Sequence, residues 1–473
     1  MKKILSIILV FVMILGLCAC GEGGAGGEKK NPNQLKVGYA KVDITPEYPV
    51  AISGSASERV STNVRDNIYF TCIAIQQGEE TYLVSTMDLV GTYDDFANMV
   101  RSAMANETGI SEDQIIMNAT HTHSSVAASS SGKEGIAQYL PELVGWAVEA
   151  AKGAVEDLSS AEAWYGSVMA PGMAWVRHYV LSNGTYAGSN FGDFSSGSIT
   201  GHVQEADTEL QLIRFDRSAE KKKDVILMNF PAHATINGSE SEISSDFPGA
   251  ARDYLAENAG ALVAYFIAAA GNQTPTSRVA VEQFSSDANI YGQELGRIAY
   301  DGLNTLTKAE NDQVSFIKRT YVGESNKEDM HLLPEAQKVE AIWAQVGGRG
   351  TTEGRKAAKE HGFDSVYEVT AILNRANFAP TRSIDLKGLA IGNISMIFAP
   401  YEMFGSNGKQ IKEGSPYDMT FVVTCSHGHA GYLPDEKGME IRCYEAQITK
   451  FKPGTAELLV AEYIDMLTEM KGQ

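Results

Sequence analysis

The stretch Ile115-Ile-Met-Asn-Ala-Thr-His121-Thr-His123 joins a short apolar run to two histidines separated by one residue. Two other apolar runs end in a similar way: Val225–Phe230 is followed by His233, and residues 421–423 are followed by Cys425-Ser-His427-Gly-His429. Apolar runs of this length, bounded by polar residues, are typical of buried β-strands. Open α/β sheets bind ligands outside the carboxyl ends of their strands, so we expect these histidines to converge on one cleft. The pattern predicts an α/β fold with a metal site.

The rest of the chain alternates loosely between strand-like and helix-like stretches. Further strands are predicted at 35–42, 69–75, 81–87, 262–267, 314–321 and 394–398, and helices at 93–105, 141–156, 288–303 and 455–470. Residues 179–201 are rich in Gly and Ser and are predicted to form a long surface loop along the cleft. Residues 328–376 are charged and helix-prone, and we interpret them as a helical insertion. The fold class is therefore α/β, with mixed sheets flanked by helices in one catalytic domain at 35–473.

The N-terminus is predicted to be a lipoprotein signal peptide. Two lysines precede a short apolar stretch at 4–17, and Cys20 follows a small residue. These features are typical of a removable signal, and the stretch is shorter than the roughly 20 apolar residues that span a bilayer. We expect residues 1–19 to be removed, Cys20 to carry the lipid, and residues 20–34 to form a Gly-rich tether. The mature protein would then be extracytoplasmic and anchored to the bacterial cell membrane.

Composition narrows the possible partners and chemistries. The formal charge is −20 at pH 7 and no basic run balances it, so nucleic acid is not an expected partner, and no pattern for a protein partner is evident. Outside the signal, Cys72, Cys425 and Cys443 are too few for a disulfide framework, although a Cys425–Cys443 pair stays open. No GxSxG elbow is present, which argues against a serine hydrolase.

Four motifs together resemble one known family. They are Val37-Gly-Tyr-Ala-Lys-Val-Asp-Ile-Thr-Pro46, Ala119-Thr-His121-Thr-His123-Ser124, Asn229-Phe-Pro-Ala-His233-Ala-Thr235 and Cys443-Tyr-Glu-Ala446. With these motifs the chain resembles the catalytic domain of the neutral, non-lysosomal ceramidases over most of its mature length. The resemblance implies zinc-dependent hydrolysis of the N-acyl amide bond of ceramide or a related N-acyl lipid, which yields a fatty acid and an amine.

The resemblance also implies individual roles. The zinc ligands would be His121, His233, Glu402 and Tyr432. The residues that act on substrate would be His123 in proton transfer, Arg177 on the substrate's oxygens, Tyr444 at the tetrahedral intermediate and Thr274 as a hydrogen-bonding hydroxyl. Because metal-bound histidines usually donate their second nitrogen to an acceptor, Asp88 and Asp246 are expected to orient the ligand imidazoles.

Other interpretations remain open at this point. Ser125-Val126 stands where ceramidases carry Gly-Pro, and Asn272 stands where they carry an aspartate, so the substrate can differ from ceramide. His427 and His429 offer ligands for a second metal ion, or replacements for Tyr432. The alternative functions are a metal-dependent esterase or other amidase on the same scaffold, and a non-catalytic surface lipoprotein that binds lipids.

Overall fold

The structure is a computed structural model that describes residues 33–54, 58–129, 132–279 and 284–472. The predicted signal peptide and lipidated Cys20 lie outside the described residues. The described chain is α/β, and its strands form large mixed sheets, as the sequence predicts. Within these residues, no helix combines the length and the apolar character that a bilayer crossing requires.

Three large sheets each combine antiparallel strands with one parallel pair at an edge. In spatial order, the first contains Ile115–Ala119, Glu80–Met87, Tyr69–Gln77, Lys36–Asp43 and Ser159–Ser160. The second contains Leu262–Ile267, Val225–Phe230, Glu209–Asp216, Glu162–Met169 and Thr307–Lys308. The third contains Val314–Glu324, Thr381–Ile391, Ile394–Phe398 and Met419–Val423. The parallel pairs are the first two strands of the first and second sheets and the last two of the third.

Helices and short strand pairs surround these sheets. The helices are α1 (Asp94–Thr108), α2 (Ile136–Glu156), α3 (Asp246–Ala259), α4 (Ala288–Gly302), α5 (Leu333–Trp343), α6 (Thr352–Glu360), α7 (Val366–Ala376), α8 (Gly405–Gly414), α9 (Glu436–Glu440), α10 (Tyr444–Ile448) and α11 (Thr455–Lys471). The short pairs are Trp175–Val176 with Gln273–Thr274, Glu402–Met403 with Tyr432–Leu433, Glu242–Ile243 with Asn63–Val64, and Ala51–Ile52 with Arg59–Val60.

One hydrophobic cluster joins the three large sheets. It contains Ile116 of the first sheet, Leu227 and Phe266 of the second, and Phe398 and Phe421 of the third. Burying an aliphatic or aromatic side chain of this size contributes roughly 1.5–3 kcal/mol. The strands of the parallel pairs are buried on both faces for most of their length, which explains why they read as continuous apolar runs.

Backbone contacts tie together the loops that leave these strands. Asn118 forms a bridge with Ser426, and the amide of Thr424 donates to Ile267 at 3.1 Å. The amide of Gly271 donates to the carbonyl of Met403 at 2.7 Å. The carboxyl ends of strands from all three sheets therefore meet in one region.

Two parts of the chain form smaller units beside the three large sheets. The predicted loop at 179–201 is instead largely a small sheet, in which His178–Leu181 lies between Tyr186–Gly188 and Ile199–His202. Its Gly and Ser residues lie mainly in the turns that allow these short strands to pair. The predicted insertion at 328–376 contains α5, α6 and α7, which share a core of their own around Trp343.

Candidate metal centre

His121 and His123 follow the edge strand Ile115–Ala119 of the first sheet. His121 has a left-handed backbone conformation, with φ of 66°. This turn brings the two rings together, with 3.4 Å between their Nε2 atoms. The amide of His123 donates to the carbonyl of Ala234 at 3.0 Å, which fixes the pair against the loop of the second sheet. A strained conformation held by such contacts is common at functional sites.

His233 and Glu402 complete a buried group with His121. Oε2 of Glu402 lies 3.2 Å from Nε2 of His121 and 3.3 Å from Nε2 of His233. His233 follows the strand Val225–Phe230, and Glu402 follows Ile394–Phe398. Each large sheet thus contributes one loop with a side chain to this group.

Backbone carbonyls orient the two buried imidazoles. Nδ1 of His121 lies 2.5 Å from the carbonyl of Val90, and Nδ1 of His233 lies 2.6 Å from the carbonyl of Ala270. A carbonyl only accepts, so each ring donates from Nδ1 and turns its Nε2 atom toward Glu402. This geometry selects the tautomer that a metal ligand requires.

The prediction that Asp88 and Asp246 orient these rings is wrong. Asp88 accepts two hydrogen bonds from Arg252, at 3.0 and 3.2 Å, and one from the amide of Tyr69. Asp246 begins α3 and accepts from the amides of Asn237 and Phe247, both at 2.7 Å. Each carboxylate is engaged by other partners, and the Nδ1 atoms of the two imidazoles donate to backbone carbonyls instead.

The donor set fits a divalent metal ion. Nε2 of His233 and Oε2 of Glu402 are buried and have no hydrogen-bond partner among the described residues. Ligand nitrogens of His121, His123 and His233 all lie within 4.8 Å of one another. Buried polar atoms without a partner are costly, and coordination would satisfy them. Neutral imidazoles and a carboxylate are common ligands of transition metals.

Tyr432 lies beside Glu402 because the two residues are register partners in a short parallel pair. Its hydroxyl oxygen accepts a hydrogen bond from Nη2 of Arg177 at 3.2 Å. Arg177 also donates to the carbonyl of Gly271 at 2.9 Å. Burial holds the pKa of Tyr432 well above its ordinary value, and the guanidinium opposes that shift. The phenol therefore adjoins the centre with its oxygen held by a fixed cation.

Tyr444 and Thr274 lie at the edges of this group. Tyr444 begins α10, and its ring meets the ring of Tyr432 edge-on at 5.8 Å. Thr274 is half-buried and is the register partner of Trp175, two residues before Arg177. The structure thus brings Tyr444 against the centre and Thr274 against the segment that carries Arg177.

The second histidine pair makes contacts outside the ligand group of His121, His233 and Glu402. Nε2 of His427 lies 3.0 Å from the carbonyl of Asp385, and the ring of His429 packs on Tyr93 at 4.5 Å. Neither histidine belongs to a group of three or more metal-ligand side chains among the described residues.

Three contacts of Cys425 and Glu445 are not indicated by the sequence pattern. Sγ of Cys425 lies 3.6 Å from Nδ1 of His121. Cys425 and Cys443 are both free and buried, so the pair that the sequence left open is not a disulfide. Glu445 pairs with both Arg177 and His178. The signals were present, because Cys425 follows a strand end and Glu445 lies in the Tyr444 motif, but neither indicated its partner.

Gly54 tests the placement of His123. A Cβ at Gly54 would lie 2.5 Å from Nδ1 of His123, at a φ of +90°. We expect Gly54→Ala to displace this ring and to lower the hydrolytic activity proposed below about 10- to 100-fold, while the metal content stays that of the wild type. Gly184→Ala is the matched control, because Gly184 has a φ of +81° and open space where a Cβ would lie. Steady-state kinetics and metal analysis check the pair, and equal losses in both variants would contradict the prediction.

Comparisons with known proteins place the fold. No protein-family model matches this chain, and no curated protein matches it. A structure described as a ceramidase complexed with C2 matches with a TM-score of 0.70 and 15% sequence identity. The match covers 93% of this chain and 76% of the ceramidase chain. The structure of neutral ceramidase from Pseudomonas aeruginosa matches with a TM-score of 0.67 and 16% sequence identity. That match covers 93% of this chain and 75% of the Pseudomonas chain. The α/β fold that the resemblance implied is confirmed: this chain has the fold of these ceramidase structures.

Proposed function

We propose that this protein is a zinc-dependent hydrolase that cleaves the N-acyl amide bond of ceramide or a related N-acyl lipid. The observation that carries the proposal is the convergence of His121, His233 and Glu402 at the strand ends of a fold shared with ceramidases. Ligand sites of α/β proteins lie at such strand ends. The reaction would yield a fatty acid and an amine.

The side chains favour zinc over harder metal ions. His121, His233, Glu402 and Tyr432 would hold it, whereas magnesium and calcium prefer sites made of oxygen ligands alone. When bound, zinc would supply Lewis acidity and lower the pKa of a coordinated water to about 7. The orphaned atoms of His233 and Glu402 support a metal ion at this position.

His123 is suited to move a proton. Burial and the neighbouring rings of His121 and His233 keep the pKa of His123 well below its ordinary value, so its imidazole is neutral at pH 7. Its Nδ1 lies 3.3 Å from the carbonyl of Gly54, and donation there leaves the Nε2 lone pair facing the centre. We propose that His123 takes a proton from the attacking water and gives it to the leaving amine.

Arg177 and Tyr444 are suited to stabilise negative charge on the substrate's carbonyl oxygen. Although burial opposes it, the Glu445 carboxylate holds the pKa of Arg177 above its ordinary value, so the guanidinium stays charged. Burial raises the pKa of Tyr444, so its hydroxyl keeps the proton that it would donate. Preorganised donors of this kind each contribute roughly 10²- to 10³-fold in kcat. Thr274 is proposed to hydrogen-bond the substrate through its hydroxyl.

The cellular setting follows from the predicted signal. We propose that lipidation at Cys20 holds the enzyme outside the cytoplasm on the bacterial membrane. The substrate and the membrane itself are the partners that this proposal requires. A metal-dependent esterase would use the same side chains and differ only in the bond that it cleaves.

Chelation is the direct test of the proposed function. The mature protein should release fatty acid from a fluorescent short-chain ceramide, and a zinc chelator should abolish release because the metal ligands lose their ion. Zinc added back should restore release. The ester analogue of the same substrate, assayed in parallel, distinguishes amidase from esterase. Release that persists in chelator would contradict the metal-dependent reaction, and cleavage of the ester alone would contradict the amide.

A further inference from the structure

Arg177 and His178 are neighbours in the chain, yet their side chains converge on one carboxylate. The chain bends at Arg177, between the short strands Trp175–Val176 and His178–Leu181. Adjacent residues of an unbroken strand would point to opposite faces. The bend instead brings both side chains to Glu445, which lies 268 residues from Arg177.

Both oxygens of Glu445 are occupied. Oε1 lies 2.8 Å from Nε and 2.6 Å from Nη2 of Arg177, while Oε2 lies 2.8 Å from Nε2 of His178. Glu445 and His178 are each 1% exposed. A carboxylate buried between two such donors has little freedom to move, and it fixes the plane of the guanidinium.

The orientation of this guanidinium matters because Nη2 also faces the metal centre. From Nη2, Arg177 donates to the carbonyl of Gly271 and to the hydroxyl oxygen of Tyr432. Nη2 therefore lies between the carboxylate of Glu445 and the hydroxyl of Tyr432. Glu445 accepts along the Nε side, so rotation of the group away from Glu445 would break the contact with Tyr432.

A second metal site is the competing explanation for this cluster. Ligand atoms of His178, Cys443 and Glu445 lie within 4.8 Å of one another, and all three residues are buried. However, both oxygens of Glu445 are already hydrogen-bonded, and the adjacent Arg177 cation would repel a metal ion. The contacts favour an ion-pair network over a metal site.

We propose that Glu445 is a positioning residue that aims Arg177 at Tyr432, with His178 fixing its second oxygen. The inference rests on the proposed function and adds a residue that acts through Arg177 without touching substrate. It separates the Tyr444-Glu445 pair into two roles: the tyrosine faces the centre, and the glutamate holds the cation.

Glu445→Gln tests this role because glutamine keeps the shape and removes the charge. We expect kcat to fall about 10- to 100-fold, with KM changed less than about threefold and metal content unchanged. In an Arg177→Ala background, the same substitution should cause no further loss of kcat, since the two residues act as one unit. Additive losses in the double variant would overturn the proposal.

Matched measurements separate positioning from other roles. Asp157→Asn also removes a carboxylate from a buried arginine, Arg217, but away from the centre, and should leave kcat unchanged. A fall in metal content from two ions per chain to one in Glu445→Gln would establish the second metal site and overturn positioning. His178→Asn removes the second contact of Glu445 and should also lower kcat. An unchanged kcat would show that His178 does not help to hold Glu445.

A crystal structure of Glu445→Gln supplies a readout that does not depend on activity. The guanidinium of Arg177 should move out of hydrogen-bond distance from the hydroxyl of Tyr432, and retention of that contact would overturn the proposal. Absence of turnover by the wild-type protein would contradict the proposed function, and this structural comparison would still decide the role of Glu445.

Discussion

Replacing His121 with alanine is expected to abolish metal binding and to lower turnover roughly a thousandfold or more, with the fold intact. Nε2 of His121, a proposed ligand, lies 3.2 Å from Oε2 of Glu402 at the point where the buried donors meet. Without that nitrogen the site loses a ligand that the proposed zinc requires, and with it the Lewis acid. Elemental analysis, circular dichroism and fatty-acid release measure the three parts of this result.

His427→Ala is the matched control for that experiment. His427 also follows a strand end, but its Nε2 contacts the carbonyl of Asp385. We expect this variant to retain metal and most of its turnover. Metal retained by His121→Ala would show that the ligand set is wrong, and metal lost from His427→Ala would revive the second histidine pair as ligands.

Replacing Arg252 with methionine is expected to lower the free energy of unfolding by about 3–5 kcal/mol. Arg252 is 2% exposed, and it donates to Asp88, which is fully buried. Removing the guanidinium leaves an ionised carboxylate buried without its counter-charge, and breaking a buried pair in this way is strongly destabilising. Urea denaturation followed by fluorescence measures the change.

The loss of stability in Arg252→Met should depend on pH. Burial already raises the pKa of Asp88, and Arg252 opposes that shift. In Arg252→Met the pKa rises further, so the folded state binds a proton more tightly than the unfolded state does. Stability then falls as pH rises from the unfolded pKa through the folded one, and the deficit shrinks in acid.

Two control variants test whether the buried, unpaired charge of Asp88 causes the loss of stability. Adding Asp88→Asn to Arg252→Met should recover part of the lost stability, because no buried charge remains. Arg297→Met removes an exposed pair with Glu294 and should cost at most about 1 kcal/mol. A similar loss in both arginine variants would show that burial of the pair is not the cause.

Much of the fold could be read from local pattern. The runs at Ile115–Ala119, Val225–Phe230 and Ile394–Phe398 are strands because burial on both faces demands continuous apolar residues. The predicted helix at 141–156 is α2, but α2 begins at Ile136, so Pro141 lies inside it. Packing of the helix against the first sheet overrides the local preference of proline for a first turn.

The sequence by itself determined which side chains stand at the strand ends, because the change from apolar run to polar residue is local. His121, His233 and Glu402 were therefore placed after strands without the structure, and the resemblance to ceramidases singled them out as expected ligands. Which of the strand-end groups meet was decided only by the tertiary structure. His427 has the same local pattern as His121, yet it turns to the carbonyl of Asp385.

The partners of the buried polar groups were likewise beyond local pattern. Asp88 meets Arg252 across 164 residues, and Glu445 meets Arg177 across 268. Such pairings depend on how three sheets pack on one core and on bends such as that at Arg177. The physical reason is range: strand and helix patterns come from neighbouring residues, whereas charge pairing and ligand geometry come from segments that only packing brings together.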